Sequence, residues 1–318
     1  MKPALVLFFC LTASLAGQEL ALEELQALLD YDRSDPTEAI YRVESSDSEI
    51  VVADYSFTGP AGDRVMGTLA SPRSDGPTPL ILFGHWMMPG SALANRQEFL
   101  EEAKLVARAG ATCLLLDGPL IRPGVVVDPE PMNGQGPLAQ VQMAKEWRVA
   151  IDLMLSGQNV DPERIAYVGH SFSAGVGAML AGMEKRIGSF VLMANQYSLR
   201  EYLFDDDNMI AVAQRKEVGD AQLEAYLAKF PWNDTVQFVK HSSPAAVFLQ
   251  FGAKDEPIPP HIARLGFSKF GEPKRMEMYD AGHELNADSR VDRVVWLVER
   301  LGLQPVSEEA LRAIPQLE

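Results

Sequence analysis

Between Leu80 and Met278 the chain repeats one rhythm, a short apolar run followed by a longer amphipathic or loop-rich stretch. The runs are Leu80 to Phe83, Ala111 to Leu116, Ile165 to Val168, Phe190 to Met193, Ala246 to Phe251 and Arg275 to Met278, the last with Arg275 and Glu277 alternating with its methionines. A strand with one wet face alternates apolar and polar residues, whereas an uninterrupted apolar run suits a strand covered on both faces. Six such runs therefore predict a mostly parallel sheet with helices above and below it. The helices between them carry single apolar stripes. Glu98 to Ala109 aligns Phe99, Ala103, Val106 and Ala107 before Gly110 ends it; Leu138 to Leu155 aligns Val141, Ala144, Trp147, Ile151 and Leu155; Arg290 to Leu301 aligns Val294, Val295, Leu297 and Val298. Upstream the period changes to two. Val51, Ala53, Tyr55 and Phe57 alternate, Gly59-Pro60-Ala61-Gly62-Asp63 makes a turn, and Val65 to Ala70 returns, which reads as an antiparallel hairpin. The expected fold class is α/β, a mostly parallel sheet with an N-terminal antiparallel hairpin and helices on both faces.

Residues 1–16 read as a secretory signal, with Lys2 as the positive start, Ala4 to Leu11 as the apolar core, and Ser14 and Ala16 as the small residues before a cut. About 12 apolar residues reach roughly 18 Å as a helix, short of the roughly 30 Å of a bilayer core, so an anchor is disfavoured and a secreted or periplasmic location is expected. No other segment is long and apolar enough to span. Residues 17–48 read as a helical or irregular lead-in with a short helix at Leu20 to Leu29, 49–302 as one domain, 195–243 as a possible small cap inserted in it, and 303–318 as a helical tail.

The 318 residues include 28 Lys plus Arg and 44 Asp plus Glu, a formal net charge of −16. Such a chain repels phosphate backbones and anionic lipid, so nucleic acid is not an expected partner. Of two cysteines, Cys10 leaves with the signal and Cys113 lies in an apolar run, which leaves no internal disulfide and reads as a buried, inert thiol. The five histidines are scattered, and no His/Cys/carboxylate spacing suits a metal; no metal and no other cofactor is expected.

The chemistry concentrates where Ile165-Ala166-Tyr167-Val168 runs straight into Gly169-His170-Ser171-Phe172-Ser173 and then an Ala/Gly-rich helix. A serine on a tight strand-to-helix turn needs small neighbours two before and two after it, because helix and strand backbones approach closely there. Gly169 supplies the first; Ser173 stands where the motif has its second glycine. A serine hydroxyl needs a base to take its proton and an acid to orient that base. Two later strands end beside such groups: Ala246 to Phe251 leads to Asp255, and Arg275 to Met278 leads to His283. Loops at the carboxyl ends of parallel strands converge on one crevice, so Ser171, Asp255 and His283 can meet despite separations of 84 and 28 residues. An oxyanion would take the backbone N–H of Phe172 and one from the loop after Leu80 to Phe83, where Trp86 and Met87 are both candidates. His85 is expected to shape that loop.

With these residues in hand the sequence resembles the α/β-hydrolase superfamily, and within it the dienelactone hydrolase-like and acyl-peptidase-like serine esterases. The resemblance rests on Leu82-Phe83-Gly84-His85, Val160-Asp161-Pro162-Glu163-Arg164-Ile165, the Gly169 to Ser173 turn, Gly252-Ala253-Lys254-Asp255-Glu256 and Ala281-Gly282-His283. It covers residues 50 to 301 and implies an α/β-hydrolase fold with a Ser171, His283, Asp255 triad. Dienelactone hydrolases proper carry cysteine as nucleophile, and epoxide hydrolases and haloalkane dehalogenases carry aspartate, so Ser171 argues against those activities. Asp117 matches a family position that is usually structural. The resemblance implies a serine hydrolase working through an acyl-enzyme; together with the signal, the reading is a secreted serine hydrolase acting on a small-molecule carboxylic ester. A peptidase or thioesterase of the same fold is the alternative, and a catalytically silent binding protein the alternative from another class.

Overall fold

The computed structural model describes residues 19–33 and 38–317; the expected signal, residues 1–16, lies outside the described residues. Nine strands among the described residues form one sheet: β1 (Ile40–Ser46), β2 (Ile50–Thr58), β3 (Arg64–Pro72), β4 (Thr78–Gly84), β5 (Thr112–Leu116), β6 (Val160–His170), β7 (Ser189–Met193), β8 (Ala246–Gly252) and β9 (Lys274–Tyr279). Their spatial order is β1-β2-β3-β5-β4-β6-β7-β8-β9. The β2/β3 pair is the hairpin, and β1 adds a further antiparallel strand at the sheet edge, pairing Ile40 with Ser56 and Ser46 with Val51. This strand lies in a segment expected to be helical or irregular. All seven of its residues are exposed, so it carries no period-two burial for a sequence reading to detect.

From β5 to β9 all neighbours are parallel. The chain passes from β4 outward to β5 on one side, then crosses to β6 on the other. The carboxyl ends of β4 and β6 therefore flank the point where strand order reverses, which in open α/β sheets is where a ligand crevice opens. The register sets Gly84 beside both Leu116 and Gly169, so the three strands end level.

Helices cover both faces. They are α1 (Leu22–Leu28), α2 (Leu100–Arg108), α3 (Gln135–Gly157), α4 (Phe172–Met183), α5 (Leu199–Leu203), α6 (Met209–Val218), α7 (Asp220–Lys229), α8 (Val236–Val239), α9 (Pro260–Lys269), α10 (Ala287–Leu301) and α11 (Glu308–Ala313). Successive strand residues point to opposite sides. Leu80 and Leu82 join a core with Trp147, Ala174, Phe238 and Ile262 from α3, α4, α8 and α9. Ile81 and Phe83 join the opposite core with Ala103, Val294 and Leu311 from α2, α10 and α11. The α10 stripe is narrower than expected: Val294 and Leu297 are buried, while Val295 is 48% exposed. Cys113 sits in the second core as a buried free thiol, and burial pushes its pKa far up, so it stays protonated and inert.

Two ion pairs are carried into the interior. Arg122 forks onto Glu146 (2.6 and 2.8 Å) and reaches Asp63, and Arg293 forks onto Glu102 (2.5 and 2.9 Å). The stretch between β7 and β8 folds into α5 to α8. It gathers a separate apolar cluster of Leu199, Leu203, Leu223, Tyr226, Leu227 and Phe230, on which Met132 and Trp232 also pack.

Candidate active site

Ser171 falls between β6 and α4 with φ 50° and ψ −111°, a conformation sparsely populated by residues with a Cβ. Two glycines make this turn possible. A Cβ on Gly169 would lie 2.5 Å from the Ser173 carbonyl oxygen, and one on Gly84 would lie 2.6 Å from the Ser173 Cβ. The room that a glycine at 173 would have supplied is thus provided by Gly84 across the strand pair. Ser173 uses its place: its buried hydroxyl donates to the His85 carbonyl at 2.6 Å, tying the turn to the loop after β4.

The loops after β8 and β9 close on this turn. Their backbones are zipped together, with the N–H of Ala253 donating to Tyr279 (2.7 Å) and that of Lys254 to Ala281 (2.9 Å). Gln316 near the chain end also donates to the Leu285 carbonyl, bracing the second loop from outside. The result brings Ser171, His283 and Asp255 into one line. The Ser171 hydroxyl stands 2.8 Å from His283 Nε2, and His283 Nδ1 stands 2.8 Å from Asp255 Oδ2. Asp255 is 3% exposed, and its other oxygen accepts the Ile258 N–H at 2.8 Å. A carboxylate can only accept, so Nδ1 carries the hydrogen and Nε2 is left free to take one from the serine. Glu256, the neighbouring carboxylate, is exposed.

The loop after β4 separates the two candidate donors. The Trp86 N–H donates to Glu98 Oε2 at 2.6 Å, so it is already engaged, which corrects Trp86 as an oxyanion candidate. The N–H groups of Met87 and Phe172 make no hydrogen bond among the described residues. His85 explains how Met87 is aimed. Its Nε2 accepts the Gly118 N–H (2.8 Å), and its Nδ1–H donates to the Trp86 carbonyl (2.5 Å). Burial lowers the His85 pKa, which agrees with a neutral ring. In a planar trans peptide the C=O and the next N–H point opposite ways, so holding the Trp86 carbonyl turns the Met87 N–H to the other side. Asp117 binds the Arg96 backbone N–H (3.0 Å) and its guanidinium, a supporting role for the same loop.

Two residues that sequence reasoning passed over also meet here. His170 is 1% exposed, with Nδ1 2.6 Å from Glu98 Oε1 and Nε2 2.8 Å from the His283 carbonyl. Among the described residues no cluster of three or more His, Cys, Asp or Glu is arranged to hold a metal ion.

Comparison with solved structures gives the fold its name. An acetyl xylan esterase from Paenibacillus sp. R4 superposes with a TM-score of 0.71 over 88% of this chain and 93% of its own, at 18% identity. The chain has the α/β-hydrolase fold. Acetyl xylan esterase 1 from Thermoanaerobacterium sp. JW/SL YS485 matches this hydrolase fold with a TM-score of 0.68 (16% identity, 89% and 99% covered). A cold-adapted esterase from an Arctic intertidal metagenomic library gives 0.56 (18%, 81% and 96%). The sequence matches no family model and no curated protein.

Proposed function

We propose that this chain is a secreted serine hydrolase that cleaves a small-molecule carboxylic ester. The observation that carries the reading is the unbroken line of Ser171, His283 and Asp255 at 2.8 Å per step, on a turn where Ser171 holds a positive φ. In the reaction the Ser171 hydroxyl attacks the ester carbonyl while His283 takes its proton. Asp255 holds the imidazole in the needed tautomer and faces the imidazolium as it forms. The N–H groups of Phe172 and Met87 receive the tetrahedral oxyanion, helped by the N-terminal end of α4. His283 then returns the proton to the departing alkoxide, and a water molecule repeats the sequence on the acyl-serine. Ester chemistry is favoured over amide or thioester cleavage because solved structures that share this fold are named as acetyl xylan esterases and an esterase.

The helices of residues 195–243 serve, in this reading, as a small cap beside the crevice. Asn195 at its start donates to the Ser171 carbonyl (2.6 Å), and burial, with a smaller contribution from the Asp255 charge, pushes the pKa of the Tyr202 hydroxyl on α5 upward. Secretion rests on the sequence of residues 1–16.

The test is direct. Incubation with a fluorophosphonate is expected to add one phosphonyl mass, located on Ser171 by peptide mapping. A panel of neutral acetyl to octanoyl esters, amides and thioesters is expected to show turnover of esters first. An unlabelled protein, or amide cleavage outpacing ester cleavage, would overturn the reading.

A further inference from the structure

We infer that Glu98 and His170 form a buried clamp that sets the reacting geometry, acting as positioning residues for Ser171, His283 and the Met87 N–H. The inference rests on the hydrolase reading above. His170 precedes Ser171, so its ring is carried by the turn itself. A backbone carbonyl only accepts, so His170 Nε2 must carry a hydrogen and donate it to the His283 carbonyl. At 2.6 Å the Nδ1 and Glu98 Oε1 atoms must also share a hydrogen, since two lone pairs would repel at that distance. Whichever atom holds that proton, the pair is neutral as a whole. It suits a site with side-chain exposures of 2% and 1%.

The second Glu98 oxygen completes the device by accepting the Trp86 N–H. The Trp86 indole lies over the His170 imidazole with 5.1 Å between ring centroids and 15° between planes. One proton-sharing pair thus joins three chain segments that topology leaves independent: the turn after β6, the loop after β9 and the loop after β4. It keeps the Trp86 N–H away from the crevice, and it fixes His283 from its backbone while Asp255 fixes it from its side chain. Neither Glu98 nor His170 touches a reacting atom.

The experiment uses the full chain and measures kcat and KM on an activated neutral ester with Glu98→Gln, Glu98→Leu and His170→Phe. Glutamine can make both contacts, its amide oxygen accepting from Trp86 and its amide N–H donating to a neutral His170 Nδ1. Glu98→Gln is therefore expected to keep kcat within about threefold of the parent. Glu98→Leu and His170→Phe are expected to lower kcat by about 10- to 100-fold per folded molecule with KM changed less than about threefold, because misplacement penalises the transition state. The double variant is expected to be no worse than either single one. A role confined to stability would instead lower the melting temperature and leave kcat unchanged, and that result would overturn the clamp. If His170→Phe does not fold, the Gln against Leu contrast at Glu98 decides alone. A parent that hydrolyses esters with unaffected variants refutes only the clamp; a parent that neither hydrolyses esters nor takes the fluorophosphonate refutes the hydrolase reading and the clamp with it.

Discussion

Ser171→Ala is expected to lower kcat on an activated ester by about three to six orders of magnitude, with the fold and the urea midpoint retained. The hydroxyl removed is the one 2.8 Å from His283 Nε2, and no other described hydroxyl occupies that position. Members of such a relay act as a unit, so His283→Ala should cost nearly as much, and combining the two should add little. Asp255→Asn should cost about 10⁴-fold, since the amide would present a donor to Nδ1 and turn the imidazole to the wrong tautomer. Glu256→Gln should be silent, its side chain being exposed and outside the relay. Circular dichroism and urea titration establish that each variant folds. Near-parental turnover by a folded Ser171→Ala protein would remove the mechanism.

The largest effect on stability is expected from Arg122→Met, at about 3–5 kcal/mol. Arg122 and Glu146 have side-chain exposures of 6% and 0%, and Asp63 completes the cluster. Without the guanidinium, Glu146 would be a buried carboxylate beside another acid, with only Gln142 still donating to it at 2.9 Å. Burial already raises the Glu146 pKa, so the bare carboxyl would be driven to take up a proton. The double variant Arg122→Met/Glu146→Met replaces the whole pair with apolar groups of similar length and should regain most of the loss. Urea unfolding of the parent, both single variants and the double one measures the coupling. A loss below about 1 kcal/mol for Arg122→Met would show that the charge is compensated elsewhere.

The central parallel strands were legible because burial on both faces writes itself as continuous apolar sequence, as in Leu80 to Phe83, whereas β9 carries Arg275 and Glu277 and is only half-buried. The edge strand β1 was not, since Ile-Tyr-Arg-Val-Glu-Ser-Ser is exposed throughout and its pairing is made by backbone groups that no side chain reports. Backbone groups also explain the oxyanion loop. Trp86 and Met87 look equivalent in sequence, and what separates them is a carboxylate 12 residues away that takes one N–H and leaves the other. Glu98 carried no signal of this use, because an acidic residue opening an amphipathic helix is ordinary. His170 was hidden by its position, a polar residue at the end of β6 whose burial no sequence signal marks. Ser171, Asp255 and His283 could be named together only because each lies within four residues of a strand end, and strand ends were what the apolar runs marked.

The positive φ of Ser171 bears on how this protein can be improved by mutation. Glycine adopts φ 50° without the penalty of roughly 1–3 kcal/mol carried by a residue with a Cβ. Ser171→Gly and Ser171→Ala both lack the hydroxyl, so their difference isolates the backbone. The glycine form should be the more stable of the two, less about 0.4–1 kcal/mol for its greater freedom when unfolded. Selection for heat resistance alone would therefore push position 171 toward an inert residue, and a library screened only for melting temperature would discard the nucleophile first.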